Sequence, residues 1–158
     1  MRHVTQVRRV PLASRPRGWQ KGRCSAQPMA KILVLDDEPV FLKLIAIMLG
    51  REGHRVSTAG NGRDAVLLLD AGQFDLVVTD IQIPRREDLE SHLKHNRAKD
   101  VLVIAMSGLC DQSSEFVQAA SHLGACRTLE KPFSGAQLIQ VTQDVLENCP
   151  PDPTAKLN

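Results

Sequence analysis

Short apolar runs alternate with helix-like patterns along most of the chain, and this alternation limits the folds that it can adopt. The runs lie at residues 32–35, 55–59, 76–79, 101–106 and 127–130. A segment with apolar residues at helical spacing follows each run. Parallel strands need crossover connections, so alternating strands and helices favour helices on both faces of a parallel sheet. The sequence therefore predicts an α/β fold, namely a doubly wound, five-stranded parallel sheet with five helices.

Four of the five expected helices have clear signals. They are predicted at about residues 39–50, 61–72, 113–123 and 134–146. Ser134 and Gln137 form the Ser-x-x-Gln capping box that marks the start of the last helix. The third helix is weakly marked, because Leu89 and Leu93 supply almost all of its apolar face.

The charge is unevenly distributed along the chain. Residues 1–28 hold seven of the 20 Lys and Arg residues and no Asp or Glu, which leaves 13 basic and 18 acidic residues in 29–158. The first segment also lacks any apolar period. We expect a basic, disordered N-terminal arm at 1–28, one domain at 29–147 and a flexible tail at 148–158. Because Met29 opens the compact pattern, we expect no function for the arm.

Several classes of protein are disfavoured by the composition. An acidic domain offers no basic footprint for nucleic acid. The longest apolar stretch, at 40–49, contains Lys43 and is shorter than the roughly 18 residues that cross a bilayer. The arm has no apolar segment of a secretory signal, although its Arg content resembles an organellar transit peptide. We expect a cytoplasmic protein that binds neither nucleic acid nor membrane through this domain.

The thiols and imidazoles give no metal-site pattern. The four cysteines are Cys24, Cys110, Cys126 and Cys149, and no two of them form a CxxC pair. His92 and His95 have a helical spacing that suits a metal, but no third ligand lies nearby in the sequence. We expect reduced thiols and solvated histidines.

Polar residues follow the ends of four apolar runs. They are Asp36, Asp37, Asp80, Ser107 and Lys131. In an open parallel sheet, ligands bind outside the carboxyl ends of the strands, so these five side chains are expected to gather at one edge. Carboxylates held close together raise each other's pKa and oppose folding. A hard divalent cation such as Mg²⁺ would compensate, and it needs only one or two carboxylates from the protein.

This set of groups is suited to phosphoryl transfer. A carboxylate beside Mg²⁺ can attack a phosphoryl donor and form an aspartyl phosphate, while a lysine neutralises the incoming charge. Each group alone has an ordinary explanation: the Asp36–Asp37 pair as a helix cap or turn, Ser107 as a cap, and Lys131 as a solvated turn residue. Their joint occurrence in this order favours a site.

Four segments that carry these residues resemble the response-regulator receiver domain of two-component signalling. They are Lys31–Pro39, Thr79–Pro84, Met106–Gly108 and Glu130–Phe133, in the family's order. The resemblance spans about residues 31–146. It implies a flavodoxin-like receiver fold and, with no output domain after the last helix, a stand-alone regulator.

The resemblance also implies roles for the site residues. Asp80 would accept a phosphoryl group from a histidine kinase or phosphotransfer protein, Ser107 would hydrogen-bond that group, and Lys131 would pair with it. Such a domain catalyses its own phosphorylation and dephosphorylation without being a conventional turnover enzyme. The output would be docking to an unknown downstream protein, or relay of the phosphoryl group.

The metal ligands implied by the resemblance come from two strand ends. Asp37 and Asp80 would bind Mg²⁺ directly, Asp36 would act through a bound water, and the backbone carbonyl of Gln82 would complete the protein ligands. Gln82 also disfavours an aspartyl-phosphatase of another fold, which would have a second acid at that position.

Two positions depart from the family pattern. Thr128 stands where the family usually has an aromatic switch residue, and Asp88 replaces a usual glycine in the loop after Asp80. An alternative function is therefore a receiver-like interaction module whose output is uncoupled from phosphorylation.

Overall fold

Five parallel strands form one sheet in the computed structural model, which describes residues 29–95, 101–108 and 114–148. The elements in chain order are β1 (Lys31–Leu35), α1 (Pro39–Arg51), β2 (Arg55–Ala59), α2 (Gly62–Ala71), β3 (Leu76–Asp80), α3 (Arg86–His95), β4 (Leu102–Ser107), α4 (Ser114–His122), β5 (Arg127–Glu130) and α5 (Gly135–Asn148). The strand order is β2-β1-β3-β4-β5. The predicted doubly wound α/β fold is confirmed. The expected N-terminal arm, residues 149–158 of the tail, and the predicted first residue of the fourth helix, Ser113, lie outside the described residues.

The strand register brings the carboxyl ends of the strands to one edge. Leu35 pairs with Thr79, Asp80 with Met106, and Ser107 with Glu130. Parallel strands run in the same direction, so the residues that follow these pairs share that edge.

Apolar side chains cover both faces of the sheet. On one face, Ile45 and Leu49 of α1 and Leu138 and Val141 of α5 join a buried cluster with alternate strand residues. On the other face, a second cluster contains side chains from α2, α3 and α4. Every residue of β3 and β4 is buried. This double burial explains why their sequences are nearly continuous apolar runs.

Side-chain caps mark the start of α5, where the sequence predicts one, and the start of α2. The Ser134 backbone N–H donates to Gln137 Oε1 over 2.7 Å, and the Gln137 N–H donates to Ser134 Oγ over 3.2 Å. At α2, Asn61 Oδ1 accepts from the Asp64 N–H over 2.9 Å. The weakly marked α3 is present, with Leu89 buried beneath it.

The loop after β3 packs tightly against the start of α2. The Gly62 N–H donates to the Pro84 carbonyl over 2.8 Å, and a Cβ at position 62 would lie 1.9 Å from the Arg85 carbonyl oxygen. Arg85 itself has a φ of 60°, in the left-handed region. Glycine at position 62 therefore permits this close approach, which holds the loop that follows Asp80.

Two smaller expectations concern the thiols and the membrane. Cys126 is buried, and its Sγ donates to the Val103 carbonyl over 3.1 Å. The other three cysteines lie outside the described residues. No helix in the part of the chain that the structure describes is long and apolar enough to span a membrane.

Candidate functional site

The Lys131 ammonium lies between two buried carboxylates at the carboxyl edge of the sheet. Its Nζ is 2.5 Å from Asp36 Oδ2 and 2.6 Å from Asp80 Oδ2. Asp36 is 1% exposed and Asp80 is 8% exposed. The structure therefore brings together three of the predicted site residues, which come from the ends of β1, β3 and β5.

Backbone amides orient both carboxylates. Asp36 Oδ1 accepts from the Glu38 N–H over 2.9 Å, and Asp80 Oδ1 accepts from the Gln82 N–H over 2.7 Å. In each case the amide two residues further along the chain binds one oxygen, while the lysine binds the other. These bonds compensate for the burial of negative charge and leave each carboxylate in a defined orientation.

Backbone contacts also fix the segment that carries Lys131. The Lys131 N–H donates to the Ser107 carbonyl over 2.8 Å, and the Lys131–Pro132 peptide bond is cis. Ser107 is the last residue of β4 and is buried. The predicted hydroxyl and lysine positions are thus directly connected through the backbone.

Two opposing effects act on the Lys131 ammonium. Burial lowers the pKa of Lys131, but the hydrogen bonds and negative charges of Asp36 and Asp80 together raise that pKa above its usual value. The lysine is therefore cationic at neutral pH. A positive charge fixed beside a carboxylate can neutralise an anion that approaches that carboxylate.

The remaining predicted ligands are more open to solvent. Asp37 follows the buried Asp36 and is exposed, and Gln82 is exposed on the loop after β3. Within residues 29–95, 101–108 and 114–148, no three His, Cys, Asp or Glu side chains form a ready-made metal-binding group. The predicted metal ligands Asp36, Asp37, Asp80 and Gln82 stay a prediction.

The chemistry of the donors nevertheless suits Mg²⁺. Two oriented carboxylates, Asp36 and Asp80, share the Lys131 ammonium, and the residue after Asp36, Asp37, is exposed. Mg²⁺ prefers such oxygen ligands and keeps several of its waters, so it does not require a closed protein cage. The residues present fit this ion.

One contact at the site was not predicted. The Lys131 Nζ lies 4.5 Å from the centroid of the Phe41 ring. Phe41 belongs to α1, far from Lys131 in the sequence. A contact between residues so distant in the chain has no local sequence signal.

Thr128 and the charged start of α3 have clear positions in the fold. Thr128 is buried in β5, beside Ala105 of β4.

Arg86 donates to the Ile81 carbonyl over 2.7 Å and to Glu90 Oε1 over 2.8 Å. Arg86 thus links the loop after Asp80 to α3, which compensates for the few apolar residues of that helix.

The fold and the site together define a flavodoxin-like α/β protein with a lysine and two carboxylates at the carboxyl edge of its sheet. The family model for the response regulator receiver domain matches residues 32–143. The chain belongs to this family, the receiver domains of two-component response regulators. The recognition made from the four sequence segments is confirmed.

Two curated relatives come from Mycobacterium tuberculosis. The transcriptional regulatory protein TcrA is 34% identical over 125 residues, which cover 77% of this chain and 47% of the relative. The transcriptional regulatory protein PdtaR is 34% identical over 112 residues, which cover 69% of this chain and 53% of the relative. The chain thus spans about half the length of these relatives.

Solved structures show the same fold. The chemotaxis response regulator CheY4 of Vibrio cholerae has a TM-score of 0.66 at 27% identity, with 75% of this chain and 100% of CheY4 covered. NtrX from Brucella abortus has a TM-score of 0.68 at 31% identity, with 77% of this chain and 27% of NtrX covered.

Proposed function

We propose that this protein is a response regulator whose receiver domain accepts a phosphoryl group on Asp80 from a histidine kinase or phosphotransfer protein. The observation that carries the proposal is the Lys131 ammonium, 2.6 Å from Asp80 Oδ2 at the carboxyl edge of a receiver fold. A buried carboxylate beside a fixed cation is a suitable acceptor for an anionic group. Signalling then follows through protein docking or onward relay.

In this reaction an Asp80 carboxylate oxygen attacks the phosphorus atom of a phosphohistidine. The new O–P bond forms as the N–P bond breaks, and the histidine nitrogen leaves with the bonding electrons and takes a proton from solvent. No general base is needed, because the nucleophile is already a carboxylate. The Gln82 amide on Oδ1 holds the carboxylate while the phosphoryl group arrives.

The residues around Asp80 stabilise the incoming charge. Lys131 exchanges part of its interaction with Asp80 for a contact with the phosphoryl oxygens, and the Ser107 hydroxyl donates a further hydrogen bond. Asp36, Asp37, Asp80 and the Gln82 carbonyl would hold Mg²⁺. When bound, this ion offsets the charge of the carboxylates and of the phosphoryl oxygens.

A direct test is incubation with acetyl phosphate and Mg²⁺, followed by intact-mass spectrometry over time. We expect the wild type to gain one phosphoryl group, at a rate that falls on adding EDTA. Asp80→Asn should gain none. Asp75→Asn, at the opposite end of β3, is the matched control and should behave as wild type.

Thr128 motivates a second candidate function. A small buried hydroxyl residue in β5 replaces the aromatic group that the family usually moves between two positions. If the protein is instead a receiver-like interaction module with an output uncoupled from phosphorylation, the wild type and the Asp80→Asn variant should bind the partner with equal affinity. The first function predicts that phosphorylated wild type and Asp80→Asn differ in partner affinity.

A further inference from the structure

The Lys131 ammonium has an aromatic neighbour in addition to its two carboxylates. Its Nζ lies 4.5 Å from the centroid of the Phe41 ring, within the range of a cation–π interaction. Phe41 belongs to α1, whereas the carboxylates follow β1 and end β3. The ammonium is thus held by three separate chain segments.

A second ring contacts the first. The rings of Phe41 and Phe133 meet edge to face, with centroids 5.6 Å apart and an interplanar angle of 62°. Both side chains are half-buried and pack against the core beneath α1 and α5. Phe133 lies two residues after Lys131, so the aromatic pair connects the lysine turn to α1. The ring that faces the ammonium is therefore fixed by packing.

The aromatic contact differs from the ionic contacts in one respect that matters for phosphoryl transfer. Both carboxylates compete for the ammonium, and Asp80 changes its charge distribution when one of its oxygens becomes bonded to phosphorus. The interaction with the Phe41 ring involves no group that reacts. It can therefore hold the flexible lysine side chain in place before and after the transfer.

We propose that Phe41 is a positioning residue that holds the Lys131 ammonium at the acceptor carboxylate through its ring face. The inference rests on the proposed function, because it assigns Phe41 a part in phosphoryl transfer to Asp80. A cation–π contact of ordinary strength corresponds to a rate effect between about twofold and thirtyfold. Phe41 acts through Lys131 and does not touch the reacting atoms.

The alternative is that Phe41 only fills the core. Variants that remove the ring should slow phosphoryl transfer only if Phe41 positions Lys131, whereas variants that keep the ring should not. Phe41→Leu and Phe41→Met remove the ring face and retain apolar bulk, while Phe41→Tyr retains the ring. Phe74→Leu is the matched control, since Phe74 is also half-buried but packs against the other core cluster.

The first measurement is the rate of labelling by acetyl phosphate with Mg²⁺. We expect Phe41→Leu and Phe41→Met to be slower by between about twofold and thirtyfold, with Phe41→Tyr and Phe74→Leu within about twofold of wild type. Equal rates for wild type and both aliphatic variants overturn the inference, as does a Tyr variant as slow as they are. A wild type that is never labelled instead overturns the proposed function, and the positioning role with it.

The second measurement detects the contact without any reaction. A proton above an aromatic ring is shifted upfield by the ring current, so the Lys131 ε-methylene protons should resonate upfield in wild type and in Phe41→Tyr. The shift should be lost in Phe41→Leu or, if that variant does not fold, in Phe41→Met. Absence of the shift in wild type overturns the contact itself, whatever the labelling rates are.

Discussion

The Lys131 ammonium lies 2.6 Å from Asp80 Oδ2, although 51 positions separate the two residues in the sequence. β3 and β5 are not neighbours, because β4 lies between them. The two side chains meet because Asp80 ends β3 and Lys131 directly follows β5, and all strands of a parallel sheet reach the same edge there. The topology thereby pairs a cation with a buried carboxylate.

Removal of this cation should destabilise the fold. In Lys131→Met, the buried carboxylates of Asp36 and Asp80 lose their shared partner and repel each other. The lysine side chain is 23% exposed, so we expect a loss of about 1–3 kcal/mol, between the values for surface and buried ion pairs. Urea denaturation measures the free energy of unfolding. Lys94→Met, at an exposed position of α3, should change this free energy little, and equal stability of both variants would argue against the pairing.

Mg²⁺ should stabilise the folded protein. A ligand that binds only the folded state adds about 1.4 kcal/mol at ten times its Kd. We therefore expect millimolar Mg²⁺ to raise the Tm of wild type and EDTA to reverse the effect. Asp37→Asn should abolish the shift, whereas Glu147→Gln on α5 should keep it. A wild-type Tm that does not respond to Mg²⁺ contradicts the proposed metal ligands.

Stability should fall on mild acidification because of His54, which is buried and not, as the sequence predicts, solvated. Burial lowers the pKa of His54, partly offset by the negative charge of Glu52, and its Nδ1 accepts a hydrogen bond from the Ala30 N–H. In the unfolded chain His54 therefore takes up a proton near pH 6.5, whereas in the folded protein it takes up that proton only at lower pH. The free energy of unfolding should decrease as the pH falls below about 6.5, until the lower folded-state pKa is passed.

The variant His54→Asn tests this assignment. Asn keeps an acceptor for the Ala30 N–H but does not titrate, so its unfolding free energy should depend less on pH between about 7 and 5.5. Chemical denaturation at several pH values gives the comparison. Identical pH dependence in wild type and His54→Asn would show that other groups cause the acid sensitivity.

Gly62 should not tolerate a side chain. In Gly62→Ala the new Cβ would lie 1.9 Å from the Arg85 carbonyl oxygen, so the loop after β3 must shift. We expect a loss of about 1–3 kcal/mol in thermal or urea unfolding, together with slower labelling of Asp80. Gly60→Ala is the control, because a Cβ there meets nothing within 4 Å. Wild-type stability of Gly62→Ala would contradict the close approach.

Local patterns predicted most of the fold. The run at 55–59 became β2 with the predicted bounds, and the Ser134–Gln137 box capped α5. These features depend on neighbouring residues and on the pattern of apolar side chains, both of which can be read from a sequence. α3 is only weakly marked in the sequence, because polar contacts help to hold it in place. The Arg86–Glu90 ion pair and the hydrogen bond from Arg86 to the Ile81 carbonyl leave no periodic pattern of apolar residues.

The site was predicted as a set of residues but not as a set of contacts. The difference between Asp36, which is buried, and Asp37, which is exposed, depends on the direction in which the chain leaves β1. The Phe41 ring beside Lys131 depends on how α1 packs against the turn after β5. Both are tertiary relationships, and neither changes the local pattern on which a sequence prediction depends.

Peptide mapping of the acetyl phosphate reaction identifies which residue accepts the phosphoryl group. Wild type and Asp80→Asn are treated with acetyl phosphate and Mg²⁺, reduced with borohydride to convert any aspartyl phosphate to a stable product, and mapped by peptide mass spectrometry. We predict modification at Asp80 alone, and none in Asp80→Asn. An unmodified wild type, or undiminished modification of Asp80→Asn, would contradict the assignment of Asp80 as the acceptor.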